Sequence, residues 1–316
     1  MTLWLDPPTW PAHGTLWSHL VSDTSLHELR TFARAQGVRD RAFDLDHYDV
    51  PADLHDTLVA AGAVPVTGGE LSRRLSRSVL RVPGWERRRA ARPTLLARWA
   101  RLWEPGSSGA DLVGQDLVDR WREPHRVYHS RLHLADALDA LDVLAADGAP
   151  GDAWHATVAL WFHDAVHDGE AGRDEERSAA LVDRLLGPLT GRVRLAGRGG
   201  DLTRADVDEV ARLVLVTTDH APTTDDTTGA LVSDADLAVL GADPGRYARY
   251  AAQVRAEYGH VPDDAFRAGR AAVLDQLAGL PSLFRSPAAA ERWSAAAARN
   301  LRAERDGLQD GHEDGR

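Results

Sequence analysis

The chain has 316 residues, a mass of 34.4 kDa and a formal net charge of −11, with 43% hydrophobic and 27% charged residues. This composition is typical of folded proteins, and the length favours two domains because single hydrophobic cores stop growing at roughly 250–300 residues. The sequence contains no Cys and no Lys, which excludes thiol catalysis, Cys-ligated metal sites, phosphate loops with a lysine and Schiff-base chemistry.

No segment has the pattern of a secretion signal or a membrane span. The first residues lack a basic stretch followed by an apolar one, and the longest apolar runs, such as 156–162, are far too short to cross a bilayer. We therefore expect a cytoplasmic protein without a membrane partner.

The first 82 residues alternate between two kinds of pattern. Short apolar runs bounded by Pro, Asp or Gly alternate with stretches whose apolar residues have helical spacing. The runs are 3–5, 42–45 and 63–66, and the helical stretches are 25–36, 52–61 and 69–77. This β-α-β-α-β-α order predicts a small α/β domain with a parallel sheet covered by helices.

The composition changes at residues 83–93, where prolines enclose four arginines and one glutamate. We interpret this segment as a basic linker. From residue 94 to 316 the apolar residues have helical spacing, which predicts an all-α domain. Its predicted helices are 94–104, 110–122, 131–146, 152–166, 174–186, 206–218, 230–240, 244–258, 263–278 and 288–304.

Three places in the helical region combine titratable side chains with apolar surroundings. His129 and His133 are four residues apart, and His163-Asp164 lies within an apolar predicted helix. The third place, 231–240, contains two aspartates within an apolar helix. Burying carboxylates beside imidazoles costs several kcal/mol unless something compensates, and a divalent metal does so efficiently. The mixed imidazole and carboxylate set suits hard to borderline divalent metals.

The order of these residues, a His, then His-Asp, then Asp, resembles the HD superfamily of metal-dependent phosphohydrolases over about residues 94–305. Asp234-Ala-Asp236-Leu is similar to the closing Ala-Asp-Leu of that family. The whole pattern is most similar to bacterial members known only as predicted HD phosphohydrolases. The resemblance implies one or two divalent ions, such as Mn, Mg, Zn or Fe, whose ligands would be His133, His163, Asp164 and Asp236.

The same resemblance implies roles for neighbouring residues. His129 would donate a proton to the leaving oxygen, and Glu175 or Glu176 would accept a hydrogen bond from the attacking water. Guanidinium groups match phosphate geometry, so Arg126 and Arg131 are candidate phosphate ligands.

Two further histidines, His167 and His220, lie between the His-Asp pair and the last Asp. Either one is a candidate ligand for a second metal or a support for the first, and the number of ions stays open at this point.

The N-terminal segment also contains candidate residues. Parts of it, 10–23 and 43–51, resemble a short bacterial domain family of unassigned function. Ligands of parallel α/β sheets collect beyond the carboxyl ends of strands. Three of the candidates follow predicted strand ends, and with two histidines they form a candidate second pocket, consisting of Asp6, His13, His19, Asp46 and His47. The alternative is that these polar side chains are helix caps and loop anchors.

The resulting hypothesis is a metal-dependent hydrolase acting on a small phosphorylated, nucleotide-like substrate. The alternative is a catalytically silent HD-type module that binds a nucleotide as a sensor. The acidity of residues 94–316 opposes binding to a phosphate backbone, so a nucleic-acid partner would depend only on the arginines of 87–92. The substrate and the oligomeric state are not set by the sequence.

Overall fold

A computed structural model describes residues 2–170 and 172–310, without the side chains of 309 and 310. The described chain forms two compact units. The first contains the chain up to Gly84 together with 123–128 and 243–269, and the second contains 85–122, 129–242 and the chain from 270 onward. The predicted fold class, a small α/β region followed by a mostly helical chain, is confirmed.

The first unit is built on a five-stranded mixed sheet. Its strands are β1 (Leu3–Leu5), β2 (Trp10–Ala12), β3 (Thr15–Ser22), β4 (Tyr48–Pro51) and β5 (Val64–Pro65). The long strand β3 pairs antiparallel with β1, β2 and β4, and β1 pairs parallel with β5. The prediction of a parallel sheet is therefore wrong for three of the four pairings.

The tight turn between β2 and β3 explains much of this difference. Ala12 pairs with Thr15, so His13 and Gly14 form a two-residue hairpin loop, with φ angles of 50° and 78°. Positive φ at both loop residues is the type I′ arrangement, whose twist matches that of the strands. A hairpin of this kind makes neighbouring strands antiparallel without any crossover helix.

Four helices accompany the sheet in this unit: α1 (Leu26–Ala35), α2 (Ala52–Ala60), α3 (Gly68–Arg77) and α12 (Pro244–Glu257). Leu20, Leu29, Tyr48 and Val50 are completely buried in the main core of the unit. The predicted strand at 42–45 does not form. The chain makes a 3₁₀ turn at Asp40–Ala42, and the next strand, β4, begins at Tyr48.

Apart from a short helix, α4 (Gly84–Arg89), where a linker was predicted, the remaining helices lie near the predicted ones. They are α5 (Arg92–Ala100), α6 (Ser108–Arg120), α7 (Arg131–Ala146), α8 (Ala153–Phe162), α9 (Arg173–Leu186), α10 (Arg204–Leu215), α11 (Thr227–Leu237), α13 (Asp263–Gly279) and α14 (Pro287–Asp310). The segment predicted as a basic linker, 83–93, thus contains α4 and the start of α5. Trp99, Trp121, Trp161 and Phe162 are among the largest buried side chains of the second unit.

Within residues 2–170 and 172–310, none of the helices combines the length and the apolar character that crossing a bilayer requires.

Candidate functional site

The helical unit presents the candidate metal ligands from the ends of three helices. His133 lies in the first turn of α7 and is 3% exposed. His163 is the residue after the last turn of α8, and Asp164 lies in the turn that follows. Asp236 is the penultimate residue of α11, which packs against both α7 and α8. This packing brings residues from distant parts of the sequence together.

The four side chains form a tight cluster. The Nε2 atoms of His133 and His163 are 3.1 Å apart. The Oδ1 of Asp236 lies 2.9 Å from the Nε2 of His133 and 3.3 Å from that of His163. The Oδ2 of Asp164 lies 3.1 Å from the Nε2 of His163 and 3.8 Å from that of His133. We call these four residues the helical cluster.

Local contacts fix the orientation of the His163 ring. Its Nδ1 donates a hydrogen bond of 2.8 Å to the carbonyl of Leu160. In the neutral ring, the other nitrogen, Nε2, is then left as an acceptor, and it faces the cluster. The indole of Trp121 packs against the rings of His133 and His163, with centroid distances of 6.1 and 5.3 Å, and donates to the carbonyl of Trp161.

Charge coupling within the helical cluster is strong. Burial alone lowers the pKa of His163, but the carboxylates of Asp164 and Asp236 outweigh it and hold that pKa well above its ordinary value. Burial raises the pKa of Asp164, but His163 and then His129 outweigh it, so the pKa of Asp164 is below its usual range. Burial also raises the pKa of Asp236, but His163 and His133 outweigh it, so this pKa too lies below its usual range. The cluster therefore favours positive charge beside two carboxylates.

The donor set fits a divalent metal. Nitrogen and oxygen ligands about 2.0–2.2 Å from one ion lie about 3–3.5 Å from one another, which is close to the spacing of these atoms. Two imidazoles with two carboxylates suit Mn, Fe, Zn and similar ions. The carboxylates of Asp164 and Asp236 are 16% and 13% exposed, whereas both imidazoles are buried. Solvent therefore reaches the cluster on its carboxylate side.

The other predicted histidines have different positions. His129 lies in the turn before α7, half-buried, with its ring 5.8 Å from that of His133 and 4.1 Å from that of His167. His220 has a positive φ of 53°, and its Nε2 is 3.7 Å from the Oδ2 of Asp236. Burial is the main cause of the lowered pKa of His220. His129 and His220 border the helical cluster, and His167 lies beside His129. All three stay candidates for support or for a second ion.

The predicted acidic residues of α9 are not joined to the helical cluster by any ion pair that the described residues show. Glu175 is half-buried, and one of its carboxylate oxygens is buried with no hydrogen-bond donor among the described residues; Glu176 is exposed. Their neighbour Asp174 has a clear role that the sequence pattern did not reveal. Its Oδ2 accepts the backbone N–H groups of residues 168–170, and it thereby holds the loop that follows the His-Asp pair.

The predicted phosphate ligands belong to different units. Arg131 is the first residue of α7 in the helical unit and is half-buried. Arg126 belongs to the first unit, is buried, and donates from Nε to Glu123. Asp234, which was not predicted as a ligand, accepts the backbone N–H groups of Arg285 and Ser286, just before α14.

Four of the five N-terminal candidates lie close together. Asp6 pairs with His19, and Asp46 pairs with His47. The rings of His19 and His47 are 5.3 Å apart. His13 does not join them: it is exposed in the hairpin turn, beside Trp17. The reasoning from strand ends holds for Asp6 but is wrong for Asp46 and His47, which precede β4 because no strand forms at 42–45.

Comparison with known proteins gives one finding. Residues 3–78 match the family described as "Protein of unknown function (DUF4031)". This match agrees with the expected short N-terminal domain of unassigned function. No curated protein and no solved structure matches the chain.

Proposed function

We propose that this protein is a metal-dependent hydrolase of phosphate esters or nucleotides, and that the helical cluster is its active site. The observation that carries the proposal is the convergence of the Nε2 atoms of His133 and His163, 3.1 Å apart, on the carboxylates of Asp164 and Asp236. Two carboxylates gathered beside two buried imidazoles are costly without a positive charge among them. A bound divalent ion removes that cost.

The order of the ligands along the chain supports the reaction class. A His, a His-Asp pair and a final Asp, supplied by three helices, resemble the HD superfamily. In that chemistry, a divalent metal activates water and neutralises phosphoryl oxygens. His133, His163, Asp164 and Asp236 would hold the metal, and a substrate would approach from the carboxylate side, where the cluster is partly exposed.

Residues around the helical cluster provide candidates for the remaining steps. His129 is half-buried beside His133, where its ring would donate a proton to the leaving oxygen. Arg131 lies between these two histidines in the sequence and would bind a phosphoryl oxygen. The roles of Arg126, Glu175 and Glu176 stay predictions from the resemblance.

Turnover by the purified full chain tests this proposal. The protein would be incubated with Mn²⁺ and a panel of nucleotides, cyclic nucleotides and p-nitrophenyl phosphates. We expect release of product, and a loss of more than about 100-fold in the variant His163→Ala/Asp164→Ala, since removing even the groups that support a metal ligand costs 10–100-fold.

A matched control is available in the same unit. His155 lies between two carboxylates, 3.0 Å from Asp152 and 2.9 Å from Asp206, but without a second imidazole. We expect His155→Gln to keep the activity. Activity that survives His163→Ala/Asp164→Ala would contradict the proposal, and metal binding without any turnover would favour the sensor alternative.

A further inference from the structure

A second group of imidazoles and carboxylates lies on the sheet of the first unit. His19 in β3 is directly opposite Asp49 in the antiparallel partner β4. His47 immediately precedes β4 and, like Asp49, is partly exposed, whereas Tyr48 between them is buried. Asp6 follows β1 and donates its backbone N–H to the carbonyl of His19. The sheet thus gathers four polar side chains from three neighbouring chain segments.

Buried carboxylates orient both imidazoles. Asp6 Oδ2 is 3.0 Å from the Nδ1 of His19, and Asp46 Oδ1 is 2.8 Å from the Nδ1 of His47. The two aspartate side chains are 4% and 0% exposed. Asp46 is itself held by the backbone N–H of Val82, at 2.7 Å. A ring that donates from Nδ1 to a carboxylate keeps Nε2 as an acceptor and becomes a more basic ligand.

Both Nε2 atoms face the third carboxylate. The Oδ1 of Asp49 is 3.8 Å from the Nε2 of His19 and 3.5 Å from that of His47. These three ligand atoms all lie within 4.8 Å of one another. Such separations are long for hydrogen bonds. They suit atoms that share one ion, because neighbouring ligands of tetrahedral zinc lie about 3.3 Å apart.

The backbone before His47 is held in a strained conformation. Leu45 has a φ of 65°, which is unusual for a bulky side chain. The backbone N–H of Asp44 donates to the carbonyl of His47, and that of Asp46 donates to the carbonyl of Asp44, which closes the turn around Leu45. Strain of this kind persists only where the surrounding structure enforces it, and it is common at binding sites. Here it places Asp46 and His47 side by side.

We propose that His19, His47 and Asp49 bind a divalent metal ion of the zinc class, with Asp6 and Asp46 as the carboxylates that orient the two imidazoles. We call these five residues the sheet cluster. Three protein ligands leave a coordination position open, as in zinc sites that bind water or a substrate oxygen. The side chains of His19, His47 and Asp49 are 28%, 16% and 47% exposed, so this position is accessible from solvent.

The test uses the full chain and does not depend on the proposed hydrolase activity. Metal-free protein carrying His163→Ala/Asp164→Ala, which removes the helical cluster, would be titrated with Zn²⁺ by calorimetry and with Co²⁺ by visible absorption. We expect one ion per chain and the intense absorption bands of four-coordinate Co²⁺. When the helical cluster is intact, substitution of the sheet cluster should lower the number of bound ions per chain by one.

Variants assign the ion to its ligands. We expect His47→Gln to weaken Zn²⁺ binding more than about 100-fold, and Asp49→Asn to weaken it at least about tenfold. The matched control is His55→Gln, because His55 also pairs with a neighbouring aspartate through Nδ1, at 3.2 Å, but forms no three-ligand group within the described part of the chain. Asp49 is half-exposed, so Asp49→Asn keeps the test valid if a histidine variant unfolds, which circular dichroism would show.

Absence of Zn²⁺ binding in the chain that lacks the helical cluster would overturn the proposal, as would equal affinity of the His47→Gln, Asp49→Asn and His55→Gln variants. Neither result would bear on the helical cluster, whose metal is measured separately.

Discussion

The helical cluster and the sheet cluster place the same kinds of side chain in different environments. In the helical cluster, both imidazoles are buried, and a neutral backbone carbonyl orients His163. In the sheet cluster, the imidazoles are partly exposed, and the carboxylates of Asp6 and Asp46 orient them. The helical cluster faces its imidazoles with two carboxylates, whereas the sheet cluster faces them with one.

This difference in ligands predicts which metal each cluster prefers. Anionic partners on Nδ1 raise the basicity of imidazole ligands and favour borderline ions such as Zn²⁺. A larger share of carboxylate ligands favours harder ions such as Mn²⁺. We therefore expect the sheet cluster to prefer Zn²⁺ over Mn²⁺ more strongly than the helical cluster does. Burial also predicts slower metal exchange at the helical cluster.

The largest expected effect concerns the aromatic support beneath each cluster. Trp121 is completely buried against His133 and His163, so Trp121→Ala should lower the free energy of unfolding by about 3–5 kcal/mol. Trp10 lies 5.7 Å from the ring of His19 but is 58% exposed, so Trp10→Ala should cost less than about 1 kcal/mol. Urea denaturation measures both, and equal costs would contradict the difference in burial.

The next effect separates the two metals. Asp236→Asn removes an anionic ligand from the helical cluster, and we expect its Mn²⁺ affinity to fall more than about 100-fold. Zn²⁺ binding at the sheet cluster should stay unchanged. Asp219→Asn is the control, because Asp219 is exposed and close in sequence to His220. The proposed separation of the two sites would be contradicted if Asp236→Asn changed both the Mn²⁺ and the Zn²⁺ affinity, or neither.

A smaller effect tests how the imidazoles of the sheet cluster are oriented. Asp6→Asn keeps the shape of the side chain but removes the negative charge beside the Nδ1 of His19. We expect a tenfold to hundredfold loss of Zn²⁺ affinity, roughly the cost of removing a group that supports a ligand. Metal affinity at the helical cluster, measured in the same protein, serves as the internal reference. An unchanged Zn²⁺ affinity would show that Asp6 has no orienting role.

The smallest effect concerns Asp174, whose carboxylate accepts hydrogen bonds from backbone N–H groups and forms no ion pair with an imidazole in the described part of the chain. Burial raises the pKa of Asp174, but hydrogen bonds from the N–H groups of 168–170 and from Arg177 outweigh it, so this pKa lies below its ordinary value of 3.8. A lowered folded-state pKa contributes stability above pH 3.8 that is lost as the pH falls through the folded value. Asp174→Asn should cost about 1 kcal/mol at pH 7. Thermal unfolding should show this cost shrinking below pH 4, and a cost that grows there would contradict the sign.

Sequence reasoning predicted the helical part well because its physical signal is local. Apolar residues at helical spacing and Gly or Pro at the joints are visible in the sequence, and α7 has the predicted bounds, 131–146. The end of α8 was less visible. We predicted a helix through 166, but it ends at Phe162, because the chain then turns and Asp174 anchors the residues that follow.

The sheet was harder to predict because its pairings depend on turns and on distant partners. The hairpin at His13-Gly14 has a local signal, a loop residue followed by Gly between strands, which the predicted strand order does not include. The sequence at 47–50 also alternates: Tyr48 and Val50 are buried, whereas His47 and Asp49 are partly exposed. That pattern would have identified β4 and added Asp49 to the N-terminal candidates.

The central claim is that His133, His163, Asp164 and Asp236 hold a divalent metal. Its most direct test is the metal content of the purified full chain, measured by mass spectrometry beside that of the His163→Ala/Asp164→Ala variant. We predict that the variant, folded by circular dichroism, contains at least one ion fewer per chain. Equal metal content in the two proteins would contradict the claim.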